Sequence, residues 1–173
     1  MSVEKYALEL QQKMIAFQKE EKIVGKCQDN TAIFQYALRN RFPGIVSHGS
    51  VIMETVCCRG KCSEYPEGNM IQCHCVVKVN DKRFEPSYEV HQYNDIETYC
   101  SPQEMRESNP LFNTEVTSEN PLSQRKVYKP EDHDKEWSRF QEYVDLHNEG
   151  NIHPLDNKYT SAYRVSLINK IFA

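Results

Sequence analysis

No stretch of this sequence approaches the roughly 20 consecutive apolar residues that a membrane-spanning helix needs. Its uninterrupted apolar runs are only a few residues long. Dense runs of lysine and arginine are missing too, and the net charge is −4. A nucleic-acid binder usually carries a basic patch or stripe, so neither a membrane nor a nucleic acid is an expected partner. The first 20 residues lack the apolar centre of a signal peptide and carry Glu4, Lys5, Glu9, Lys13, Lys19 and Glu20 instead. With no export signal, the cysteines read as reduced thiols in a cytoplasmic setting. There is no internal repeat and no low-complexity segment.

What is present suits one domain. A chain of 173 residues, 39% hydrophobic and 27% charged, can bury a core without metal or disulfide support. The seven cysteines are Cys27, Cys57, Cys58, Cys62, Cys73, Cys75 and Cys100. An odd number leaves room for one thiol kept for chemistry.

Residues 3–22 predict an amphipathic helix, with Tyr6, Leu8, Leu10, Met14, Ile15 and Phe17 at helical spacing among charges. A second helix is expected over 28–41, with Ala32, Ile33, Tyr36, Ala37 and Phe42 as its apolar stripe and Pro43-Gly44 as its stop. Asp29, Asn30 and Thr31 are residue types of a first turn, so Cys27 is expected at or just before a helix N-terminus. The β-branched segment 45–56 predicts a strand or two, and 59–69 a polar loop. Residues 70–79 alternate as a strand does, and Asn80-Asp81 is a turn signal before 82–85. That is a hairpin, stopped by Pro86. The polar, proline-bearing stretch 101–129 reads as a long surface loop with little regular structure. Pro130 suits the first turn of a helix over 130–148, whose apolar side would be Trp137, Phe140, Val144 and Leu146. Residues 159–172 carry no decisive pattern. The sum is an α+β fold in a single domain over 1–173: helices first, an antiparallel meander in the middle and a helical C-terminal part.

A thiol becomes a good nucleophile as a thiolate, and a helix N-terminus or a neighbouring imidazolium favours that form. A base held by a third group completes such a site. The sequence offers the parts in order: Cys27 at a helix start, His74 on the first strand of the hairpin, Glu85 at the end of the second. A tight turn at Asn80-Asp81 would bring the last two side by side if register and face agree.

The segment Gly25-Lys26-Cys27-Gln28-Asp29, followed by Ala32, Phe34, Leu38 and Arg39, resembles the nucleophile segment of transglutaminase-like cysteine hydrolases of the papain-like superfamily. The segment His74-Cys75-Val76-Val77-Lys78-Val79, with its turn and then Phe84-Glu85-Pro86-Ser87, is similar to that family's histidine–aspartate hairpin. Glu85 stands where the family usually has Asp, and Gln28 where an aromatic residue often follows the nucleophile. The resemblance covers about residues 23–90. It implies a papain/transglutaminase-like core and a Cys27–His74–Glu85 triad. It also implies acyl transfer on amide bonds of a protein or peptide substrate, as a protease, deamidase or transamidase, with no cofactor.

Three further readings belong beside it. Cys58, Cys62, Cys73, His74 and Cys75 are dense in zinc-ligand types. Cys73 and Cys75 nevertheless flank His74 on a strand and point away from it, so they are expected as core-facing small hydrophobes, His74 as facing a cleft, and no stoichiometric zinc. The rival function is a catalytically inactive protein-binding module on the same fold, zinc-stabilised through that cluster. Gln18, an upstream glutamine of the kind that helps an oxyanion hole, is expected on the solvated part of the first helix. His48, His91, His133, His147 and His153 are expected at the surface, and Trp137 in the core.

Overall fold

A computed structural model of the chain describes residues 1–43, 49–59, 70–92, 95–108, 130–150, 152–156 and 158–173. Among the described residues the fold is α+β, five helices with a four-stranded antiparallel sheet. In chain order the elements are α1 (Val3–Glu21), α2 (Cys27–Arg41), β1 (Ser50–Arg59), β2 (Met70–Val79), β3 (Lys82–Phe84), a short 3-10 helix (Tyr88–Gln92), β4 (Asp95–Tyr99), α3 (Pro102–Ser108), α4 (Pro130–Glu149) and α5 (Ala162–Ile171). The strand order is β3-β2-β1-β4.

The residues form two compact units, to both of which β1, β2 and α4 contribute. The first unit comprises Met1–Ile52, Cys75–Tyr88 and Val144–Ala173. Its core takes Ala7, Leu10, Met14 and Phe17 from α1, Ile33, Phe34, Ala37 and Leu38 from α2, Val77, Val79 and Phe84 from the hairpin, and Leu167 and Ile171 from α5. The spacing in α1 and α2 is that of one helical face. Each fully buried large side chain here contributes about 1.5–3 kcal/mol. Ser2 starts α1 by accepting the Lys5 N–H (3.2 Å), and left-handed Lys22 ends it.

The hairpin turns at Asn80 and Asp81, with φ of 48° and 66°. Two successive positive φ values fit a tight turn whose twist matches the strands, and Asn and Asp adopt them at low cost. The register pairs Val77 with Phe84, Lys78 with Arg83 and Val79 with Lys82. Glu85 therefore stands one residue past the ladder.

The second unit comprises Met53–His74 and Glu89–Tyr143. Here β1 pairs antiparallel with β4, from Thr55 opposite Tyr99 to Arg59 opposite Asp95. Met53, Val56, Val90, Met105 and Tyr143 are buried, and so are Glu54, Thr55, His74, Glu89 and His133.

The segment expected as a loop from 101 opens instead with α3. Ser101 Oγ accepts the Glu104 N–H (3.1 Å), and Glu104 reaches back to the Cys100 N–H (2.5 Å). With Pro102 in the first turn, this is a capping-box pattern shifted by one residue, Glu104 accepting the N–H before the cap rather than that of the cap itself, and proline starts the helix rather than breaking it. Residues 109–129 and most of the expected loop 59–69 lie outside the described residues. The undecided tail 159–172 holds α5, started by Ser161, whose hydroxyl accepts the Arg164 N–H (3.3 Å). On α4 the buried positions are His133, Tyr143, Val144 and His147; Trp137 and Phe140 are half-buried, and Leu146 is exposed. The stripe is thus set partly by histidines, which an apolar count passes over.

Candidate functional site

In the first unit, Cys27 is the first residue of α2 and 8% exposed. The N-cap, Lys26, makes no side-chain hydrogen bond to the first-turn N–H groups. Thr31 Oγ1 donates to the Cys27 carbonyl (2.9 Å), tightening the first turn.

Glu85, also in this unit, is buried. Its carboxylate accepts the Ser87 N–H (3.0 Å) and an Arg83 guanidinium N–H (3.2 Å), while its own N–H donates to Gln11 Oε1 (2.8 Å). The chain just beyond it is tied to both helices. Gln18 Nε2 donates to the Pro86 carbonyl (2.6 Å) and the Met14 carbonyl (2.9 Å), and Gln18 Oε1 accepts from Asn30 Nδ2 (2.9 Å) and the Tyr88 N–H (3.1 Å). Asn30 Nδ2 also donates to Ser87 Oγ (3.0 Å), and Asn30 Oδ1 accepts from the Tyr163 hydroxyl (2.5 Å).

Gln18 is accordingly 1% exposed, not solvated. It lies one turn beyond Met14 on the buried stripe, and both its amide N–H groups are committed to carbonyls. A committed amide does not serve an oxyanion, so Gln18 acts as a tie between α1, α2 and 86–88. Asp29, in the first turn of α2, accepts from the fully buried Arg164 Nε (2.5 Å), and Arg164 also donates to the Pro154 carbonyl (2.9 Å).

His74 belongs to the second unit. It is on β2 and fully buried, where a residue facing an open cleft was expected. Cys73, beside it, is 3% exposed, and Cys75, in the first unit, is fully buried. Cys27, Cys73, Cys75 and Cys100 are thiols rather than disulfide halves. Cys62 and His48 lie outside the described residues, as do the side chains of Cys57 and Cys58.

A second group assembles inside the second unit, between β1, β2 and α4. Cys73 Sγ is 3.8 Å from His133 Nδ1, and Thr55 Oγ1 is 3.2 Å from His133 Nε2. Cys73, His133 and Glu136 each offer one ligand-type atom, all within 4.8 Å of one another. Burial holds the His133 imidazole down at about 4, Arg106 lowering it further and Asp134 opposing. Arg106 is ion-paired with Asp134. His147, on α4 in the first unit, is also held at about 4, by burial and then by Arg164 and Arg39. Neither histidine is at the surface. His133 and Glu136 were legible as a helical i, i+3 pair, but nothing in the sequence points from them to Cys73.

A groove of about 660 Å³ runs beside α1 and β3, lined by Leu8, Gln11, Lys82, Arg83 and Phe84 among others. No helix among the described residues is long and apolar enough to cross a membrane. Comparison with protein-family models, with curated proteins and with solved structures finds no match to this chain.

Proposed function

We propose that the chain is a thiol-dependent acyl-transfer enzyme acting on amide bonds of a protein or peptide, with Cys27 as nucleophile, His74 as general base and Glu85 as the group that orients the histidine. The observation that carries this reading is the anchoring of the acid-bearing end of the hairpin. Gln18 and Asn30 tie residues 86–88 to the first turns of the helix that Cys27 opens. One further step of the β2–β3 register would set Glu85 opposite Val76, two positions along the chain from His74.

In this reaction the Cys27 thiolate attacks the carboxamide carbon and forms a C–S bond. The oxyanion draws on backbone N–H groups at the start of α2, where Lys26 supplies no side-chain cap. His74 takes the thiol proton and passes it to the leaving amine as the C–N bond breaks. Water, activated by the same imidazole, then cleaves the thioester, or a second amine does. Protease, deamidase and transamidase share these steps.

The complete burial of His74 favours a second reading, a protein-binding module of the same fold without catalysis. One experiment separates the two: iodoacetamide alkylation of Cys27, followed by mass spectrometry across pH in the wild type, His74→Ala and Glu85→Gln. For an enzyme, Cys27 titrates below the ordinary thiol value of about 8.5, His74→Ala raises it towards that value, and Glu85→Gln falls between. Three superimposable profiles remove the coupled site and leave the binding module.

A further inference from the structure

Cys73, His133 and Glu136 in the second unit are not among the residues assigned to acyl transfer, and all three are metal-ligand types. We propose that Cys73 Sγ, His133 Nδ1 and a Glu136 carboxylate oxygen form a three-ligand site for a divalent cation of the zinc class.

The geometry sets the argument. Zinc takes thiolate sulfur at about 2.3 Å and imidazole nitrogen at about 2.0–2.1 Å, so two such ligands at a tetrahedral angle stand about 3.6 Å apart. Cys73 Sγ is 3.8 Å from His133 Nδ1 and 4.0 Å from Nε2, so the span suits a shared cation once the ring turns Nδ1 towards the sulfur. Glu136 follows His133 by three positions on α4 and so shares its helical face. Its oxygen lies within 4.8 Å of Cys73 Sγ and of a His133 ring nitrogen, and a half-buried carboxylate on a flexible stem can close the remainder.

The surroundings suit the same assignment. When Nδ1 binds a cation, Nε2 carries the proton, and Thr55 Oγ1 stands 3.2 Å from it as an acceptor. A ligating histidine ordinarily gives its other N–H to such a partner, which fixes the tautomer and the ring. Arg106, whose charge acts on His133, is ion-paired with Asp134. Thiolate, carboxylate and neutral imidazole sum to two negative charges, which a divalent cation balances. Three protein ligands leave the fourth position to water or substrate.

Binding displaces the Cys73 thiol proton to solvent and forms one bond each to sulfur, nitrogen and oxygen. These ligands are not those of the cysteine-rich reading: His133 and Glu136 replace Cys58, Cys62, His74 and Cys75. The proposal is independent of Cys27.

The test is a titration of the full chain, stripped with chelator under reducing conditions, with Zn²⁺ by calorimetry and with Co²⁺ by absorption. The expected result is one equivalent of Zn²⁺ and a thiolate-to-cobalt charge-transfer band. Cys73→Ser should lose the band, and His133→Asn and Glu136→Gln should each weaken binding by at least about tenfold. Cys73 and His133 are buried, so their variants need far-UV circular dichroism to show that they fold; where one does not, Glu136→Gln decides, because its side chain is half-exposed. No binding by the wild type overturns the proposal. So does binding that Glu136→Gln leaves unchanged, or that Cys58→Ser or Cys62→Ser abolishes while Glu136→Gln does not.

Discussion

The two units bury different things. The first is an apolar core, Met14, Ile33, Phe34, Leu38 and Val77 among its members, in which the buried Gln18, Asn30 and Ser87 are joined by hydrogen bonds and the buried Arg164 is paired with Asp29. Among its described residues, the second encloses Glu54, His74, Glu89, Cys73 and His133 with far less apolar company. Polar groups taken out of water cost stability unless they are partnered. The first unit uses them as ties, which favour one arrangement of helices around the start of α2. The second concentrates side chains with lone pairs and exchangeable protons.

The contrast is open to attack, beginning where the effect is largest. Arg164→Met leaves the Asp29 carboxylate without its buried cation and should cost the first unit about 3–5 kcal/mol, read as a fall in the urea midpoint. The double variant Asp29→Asn/Arg164→Met should recover most of that loss. If the single change is neutral, the polar groups of the first unit are not its ties.

A smaller effect is shared by the units. His147 and His133 both ionise near 4 when folded, against about 6.5 in an unfolded chain. Above 6.5 each is neutral in both states and stability is complete. As pH falls from 6.5 towards 4 the unfolded chain takes up protons that the native one refuses, so stability is lost across that window and levels off below it. Denaturant midpoints measured from pH 8 to 4 should show this slope. His147→Gln should reduce it by one proton, and in the chain stripped of metal His133→Gln should reduce it by another; a metal-free profile that neither variant changes refutes both burials.

The smallest effect sharpens the contrast at an exposed site. Ser101→Ala removes the cap of α3 and should cost about 1 kcal/mol, with the near-neutral outcome of a loop residue as the alternative reading of 101–108.

The sequence was most legible where one physical rule acts alone. Helical spacing of Leu10, Met14 and Phe17 located α1, and Asn80-Asp81 located the hairpin turn to the residue. It was least legible where polar residues do structural work. Gln18 continues the Leu10–Met14 line by one turn, so its place in the stripe was readable, but the carbonyl of Pro86 that holds it comes from 68 positions away. His133 and His147 occupy stripe positions of α4 that a hydrophobicity count assigns to solvent. Ser101-Pro102-Gln103-Glu104 carried a helix-start signal that the prolines around it obscured. Of the candidate site, the local setting of Cys27 was readable, since a first turn is written in adjacent residues. The pairing of Cys73 with His133 was not, because it depends on how α4 meets the sheet.

The tie made by Gln18 has a consequence for inheritance. It grips the main chain of residues 86 and 88, a carbonyl and an N–H that every amino acid but proline can provide at 88 and that any can provide at 86. Substitutions at those two positions can drift without loosening the segment, whereas a change at 18 removes four hydrogen bonds together. Descendants of this chain should therefore be recognised by the glutamine on the first helix rather than by the letters of the loop it holds.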